Sequence, residues 1–113
     1  ITTSLDRDST AVETQDFITA FEAKSGNKTD MVAASAHTAI KVLAAALQSS
    51  GDADRAALRD AIAGTQLTAS TGDISFNDLG EVQKSVQVQV VKDGQWHHHS
   101  VIHDAALLAP PTE

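Results

Sequence analysis

The side chains able to do chemistry are few, and most lie near the end of the chain. His97, His98 and His99 stand in a row, followed by His103 and Asp104. Imidazole suits zinc, copper or nickel, and on an extended strand His97 and His99 share one face. A closed site needs a third and a fourth ligand, for which Asp104 is the nearest carboxylate. Consecutive histidines on a solvent-facing hairpin are more often incidental, so no metal and no other cofactor is expected. His37 lies near the start of an expected helix, where free backbone N–H groups favour anions. Its ring can meet a carboxylate or serve the backbone structurally. Ser35 and Thr38 beside it read as caps. Ser4, Leu5 and Asp6 follow an opening strand, and open α/β sheets bind ligands beyond the carboxyl ends of their strands. The candidate ligand-binding residues are therefore Ser4, Leu5, Asp6 and His37.

Other chemistry finds no support. No serine sits in a Gly-x-Ser-x-Gly elbow, and there is no Gly-rich phosphate loop. Asp73 and Asp78 read as turn residues, and Asp52, Asp54 and Asp78 do not make a calcium loop. Cysteine is absent, which excludes disulfides and thiolate catalysis. An enzyme is not expected. With 15 acidic residues against 8 basic ones the net charge is −7, so no basic stripe exists for nucleic acid. The longest apolar stretch, residues 40–47, is interrupted by Lys41 and falls short of the roughly 20 residues of a membrane span. The 113 residues make one domain or less, and an aromatic fraction of 4% leaves the core to Ala, Val, Leu and Ile. The chain begins at Ile1 rather than Met, which suggests a processed product or a fragment.

Three helices are expected. The first covers about residues 11–24, opened by a Thr10–Glu13 capping box, with Thr14, Phe17, Ile18 and Phe21 inward and Gly26 ending it. After a short strand at 31–34, the second covers about 35–49. Its inner face is Ala36, Ala39, Ile40, Leu43, Ala46 and Leu47, and it is apolar nearly all round. The third is capped by Asp52 or Asp54 and runs to about Ala63, with Leu58, Ala61 and Ile62 inward. After Gly72 the period changes to two: a strand at 73–76, a turn at 77–80, then Val86, Val88 and Val90 alternating with Gln87 and Gln89. Asp93-Gly94 signals a hairpin that returns along 95–102. The tail, 105–113, reads as poorly ordered unless docked. The early strands each precede a helix, as in a parallel α/β sheet. Two such strands cannot make a sheet alone, so this pattern belongs to something larger.

The ordered set resembles part of a known family. Its pieces are Thr3-Ser4-Leu5-Asp6; Phe17-Ile18-Thr19-Ala20-Phe21-Glu22-Ala23-Lys24; Ala36-His37-Thr38-Ala39-Ile40-Lys41-Val42-Leu43; Gly72-Asp73-Ile74-Ser75-Phe76-Asn77-Asp78-Leu79-Gly80; and Val91-Lys92-Asp93-Gly94. Together they are similar to the C-terminal portion of the periplasmic type I solute-binding proteins of branched-chain amino-acid (Leu/Ile/Val) ABC transporters. Departures are His37-Thr38-Ala39 where the family often has Tyr-Asp-Ala, Phe76-Asn77 for Phe-Asp, and Leu5 where an aromatic is common. The resemblance implies an α/β fragment of a two-lobe fold with three helices, short parallel strands and a C-terminal β-hairpin. It places 1–28 and 72–113 in the second lobe and 29–71 in the first. It implies capture of an amino acid or related small organic acid by lobe closure. The implied partners are the remainder of the binding protein and an ABC permease, in the periplasm or outside the cell. A sensory ligand-binding domain, or a self-associating module forming a segment-exchanged homodimer, are the other functional expectations.

Overall fold

Local capping decides where two of the three longer helices begin. In the computed structural model, which describes residues 1–51 and 54–108, a short strand β1 (Thr2–Thr3) leads through a loop into α1 (Val12–Ser25). The Thr10–Glu13 capping box does not form, because Ala11 is the N-cap and no side chain caps it. The entry is held from within the helix instead: Gln15 Nε2 donates to the carbonyls of Arg7 at 3.1 Å and Ser9 at 2.7 Å. Phe17 and Phe21 lie one turn apart on this helix with ring centres 5.7 Å apart.

The strand expected at 31–34 is the first turn of α2 (Met31–Ser50). Asp30 caps it, accepting the Ala33 N–H at 2.8 Å, and a short apolar run cannot by itself be told from a helix turn. The inner face also differs from expectation. The buried positions are Ala34, Thr38, Val42 and Ala46, whereas Ile40 is 65% exposed. The buried stripe runs at intervals of four, on one helix side, and its small members allow close approach. The helix is long and apolar enough, by length and composition alone, to cross a membrane, contrary to the reading of 40–47. Its regular buried stripe is that of a helix packed on protein along one side. The third helix, α3 (Arg55–Ala63), is capped by Asp54, whose carboxylate accepts from Ala56 and Ala57 at 3.0 and 3.2 Å. Asp52, the other candidate cap, and tail residues 109–113 lie outside the described residues.

The remaining strands form two sheets. β2 (Leu67–Ala69), β3 (Gly72–Phe76) and β4 (Val82–Gln83) make one, in that order. β5 (Val86–Lys92) and β6 (Gln95–Ile102) join β1 in the other, ordered β1-β5-β6. Every strand pair among the described residues is antiparallel, which corrects the expected short parallel strands. One of the two early strands is helical, and the other pairs with β5 from the far end of the chain, running opposite. The rest of the expected α/β arrangement is present, with three helices, a C-terminal hairpin and a further single turn, α4 (Ala105–Leu108). In the 77–80 turn, Asn77 Oδ1 accepts from Leu79 and Glu81 at 3.1 and 2.9 Å.

The molecule is thin. Its extents are 49 × 41 × 19 Å and its radius of gyration is 15.5 Å, against about 13 Å for a compact chain of this length. It exposes 7700 Å², where a compact domain of this mass exposes roughly 5900 Å². Met31, Val32, Ile40 and Leu43 on α2 are among the exposed apolar residues. The helices and sheets have cores on one side only.

The β5–β6 turn offers a direct test of backbone conformation. Asp93 and Gly94 both have positive φ, 52° and 75°, the geometry of a type I′ hairpin. A Cβ on Gly94 would meet nothing within 4 Å, so only the backbone opposes a side chain. Gly94→Ala is expected to cost about 1 kcal/mol, read as a lower denaturant midpoint. Gly64→Ala, at an ordinary right-handed conformation, should lower it little or not at all.

Candidate functional site

From Ser4 to Asp8 the loop after β1 is tied down at every residue. Ser4 Oγ accepts the Lys84 ammonium at 2.6 Å. Leu5 is 3% exposed and packs in a cluster with Ile18 and Ala34, against which Phe17 lies. Asp6 is buried, with its Oδ2 2.7 Å from His98 Nδ1. Arg7 donates to the Thr29 carbonyl and to Glu22, both at 2.7 Å. Glu22 also accepts the Thr29 N–H at 3.0 Å. That backbone donor, then the Arg7 guanidinium, hold the Glu22 carboxyl at about 2. Asp8 Oδ2 accepts the His98 N–H at 3.0 Å, which with His97 lowers its pKa.

His37 stands on the other side of Phe17. The two rings stack with centres 4.4 Å apart and 16° between planes. His37 Nδ1 is 3.0 Å from Ser70 Oγ. Ser70, 2% exposed, spends its one hydroxyl proton on the Ala34 carbonyl at 3.2 Å. With that proton committed, His37 Nδ1 must be the donor in their bond. Thr38 Oγ1 lies 3.3 Å from Ser70 Oγ and 3.0 Å from Thr71 Oγ1, and Thr14 Oγ1 donates to the Ser70 carbonyl at 3.2 Å. The β2–β3 turn is thereby pinned between α1 and α2. Burial, then the charge of Lys41, holds the His37 imidazole below its ordinary pKa.

The structure thus brings Leu5 and His37 to a shared neighbour, Phe17, while Ser4 meets Lys84, between β4 and β5, and Asp6 meets His98 on β6. Phe17, Ser70 and Lys84 were not singled out from the sequence. Phe17 reads there as helix core, and Ser70 has no assigned role. Lys84 is a lone charge between two strand-like runs.

The histidine row does not assemble a metal site. Val88 lies opposite Ser100 and Gln89 opposite His98, with a bulge between. His99 is the extra residue, so the strict alternation that would set His97 and His99 on one face is broken. His97 and His98 direct Nδ1 at Asp8 and Asp6. Among the described residues no group of three or more His, Asp or Glu side chains could hold a metal ion.

The family is decided by a family model described as periplasmic binding protein, which matches residues 1–95. The chain belongs to this family. Among curated protein sequences none matches significantly. Among solved structures, the leucine-binding protein LivK of Thermotoga maritima is 26% identical, with a TM-score of 0.79 over 89% of this chain and 29% of that one. An ABC transporter substrate-binding protein of Desulfitobacterium hafniense, in complex with Leu, is 25% identical, with a TM-score of 0.78 over 87% of this chain and 30% of that one. A solute-binding protein of R. palustris, in complex with benzoate, shares the fold at 21% identity and a TM-score of 0.80, over 93% of this chain and 31% of that one. The chain therefore spans less than a third of the length of these periplasmic binding proteins, and its fold is a portion of their type I fold. Two of these three are described as solute- or substrate-binding proteins of ABC transporters and one as a leucine-binding protein.

Two measurements test the Ser70 node. Ser70→Ala leaves the Ala34 carbonyl and His37 without their partner and should cost about 1–3 kcal/mol in chemical denaturation. The depressed His37 pKa means that the unfolded chain takes up this proton first as pH falls. Its contribution to stability is complete above the unfolded histidine value of ~6.5 and is lost as pH drops below that toward the folded value. Glu22 and Asp8, held below their ordinary carboxyl pKa values, act only at lower pH. The denaturation midpoint should fall as pH drops below about 6.5, and His37→Gln should flatten that fall.

Proposed function

We propose that this chain is part of the solute-binding component of an ABC transporter. In this reading it takes a small solute, an amino acid or related organic acid, into a cleft between two lobes that close about a hinge. The observation that carries the reading is the match to LivK over 89% of the chain at 26% identity. The thin, one-sided architecture supports it, since the exposed apolar face of α2 needs further polypeptide to cover it. Residues 1–28 and 72–113 would belong to the second lobe and 29–71 to the first. β3 and β4, which share a sheet with β2, would serve as a crossover between them.

Ser4, Asp6 and His37 would line or support the cleft through side chains. Leu5 would take part through its backbone, because its side chain is core. The partners are the remainder of the binding protein, the solute and an ABC permease, in the periplasm or outside the cell. No covalent chemistry is involved.

The test is a thermal-shift and calorimetric screen of the protein carrying both lobes, against free amino acids and small organic acids. Stabilisation by members of either class is expected; no response to any solute overturns the reading. The 113-residue chain alone should show no tight binding, with no Kd at or below the order of 1 μM. Tight, solute-specific binding by it would overturn the two-lobe assignment.

A further inference from the structure

Two carboxylates tie the loop between β1 and α1 to β6. Asp6 Oδ2 lies 2.7 Å from His98 Nδ1. Asp8 Oδ2 accepts the His98 N–H at 3.0 Å and lies 3.3 Å from His97 Nδ1. Asp6 Oδ1 accepts the Asp8 N–H at 3.0 Å, and the Asp6 carbonyl accepts the Ser9 N–H at 3.3 Å. Both carboxylate oxygens of Asp6 are thus engaged, and its side chain is only 10% exposed. β1 pairs with β5 and not with β6, so these bonds join the loop to a strand with which its own strand does not pair.

The backbone of β6 aims the two histidines. Consecutive strand residues ordinarily point to opposite faces, yet both rings reach the same loop. The bulge at His99 lies beside them, and bulges re-aim side chains. An ionised carboxylate only accepts, so His98 Nδ1 carries the proton in the bond to Asp6. The remaining hydrogen bonds of Asp6 are to amides of its own loop. His98 is therefore the side chain that fixes where this carboxylate sits, through a charge-assisted bond, which is stronger than one between neutral groups.

We propose that His98 is a positioning residue: it sets the loop after β1 by holding the Asp6 carboxylate, and so controls solute affinity without touching the solute. The inference rests on the solute-binding reading, which puts this loop beside the cleft.

The test uses the protein carrying both lobes, at about pH 8, where an ordinary histidine is neutral. Amide hydrogen exchange is read over residues 5–9. The Asn77 turn, whose amides bond within the turn, is the internal reference. His98→Asn keeps an N–H donor near the place of Nδ1, His98→Gln carries its donor further out, and His98→Leu has none. Exchange over 5–9 is expected to speed about ten-fold in His98→Leu and His98→Gln, and to stay within about three-fold of the parent in His98→Asn, with the reference unchanged. Equal acceleration in all three variants, acceleration shared by the reference, or none in His98→Leu overturns the proposal. So does nitrogen-15 NMR of the parent that finds the His98 proton on Nε2 alone. If His98→Leu fails to fold, that tautomer and the comparison of His98→Asn with His98→Gln decide. Leucine and benzoate are the solute probes. Whichever the parent binds should bind about ten-fold more weakly to His98→Gln than to His98→Asn, and equal affinity overturns the control of binding. If the parent binds neither, the exchange comparison still decides whether His98 sets the loop. Failure of the solute screen leaves that comparison standing, and a loop indifferent to His98 leaves the screen unaffected.

Discussion

The arrangement of the helices depends on one buried hydroxyl. Ser70 Oγ has a single proton and two lone pairs, and all are committed: the proton to the Ala34 carbonyl, the acceptor sites to His37 and Thr38. Its own carbonyl accepts from Thr14 on α1. One residue in a two-residue turn therefore meets two helices. Such a turn ordinarily lies at the surface, because buried backbone needs partners. Here the threonines of α1 and α2 supply them, which explains why Thr14 and Thr38 occupy positions that a helix would otherwise give to aliphatic side chains. The constraint also sets the rotation of α2. With Thr38 turned toward Ser70, the stripe at 34, 42 and 46 must face inward, and Ile40 and Leu43 must face out.

From this follows the one-sided character of the molecule. α2 has two apolar faces but the chain covers one. The two sheets have three strands each, and residue Lys84 stands at the junction between them. In the solved periplasmic binding proteins this portion is under a third of the chain. The excess exposed surface is that of a portion of a larger fold. The loop after β1 is by contrast closely held, through Arg7 to α1 and through Asp6 and Asp8 to β6. Its rigidity would suit a loop that must present backbone and side chains at fixed positions beside a cleft.

Much of the local structure was legible in the residues. The ends of α1 and α2 at Gly26 and Gly51, the Asp54 cap, the Asn77 turn and the Asp93-Gly94 hairpin follow from short-range chemistry. A left-handed residue, a side-chain acceptor or a two-residue turn acts within a few positions, so the sequence carries it directly. The strand at 86–90 was legible for the same reason, since alternation is a property of the chain itself. The family resemblance was equally legible, because it rests on an ordered series of such pieces.

Other features were decided only by tertiary structure. Met31 to Ala34 could be strand or helix by pattern, and the Asp30 cap with α2's packing made it helix. The inner face of α2 could not be chosen from a helix apolar nearly all round; contact with the β2–β3 turn chose it. β1 could have paired in either direction, and its antiparallel partner lies more than 80 residues away. The bulge at His99 and the approach of Lys84 to Ser4 likewise join distant segments. The sequence by itself determined what each short stretch prefers, because those preferences arise from neighbours along the chain. Which faces meet depends on contacts between stretches far apart, and these exist only once the chain is folded.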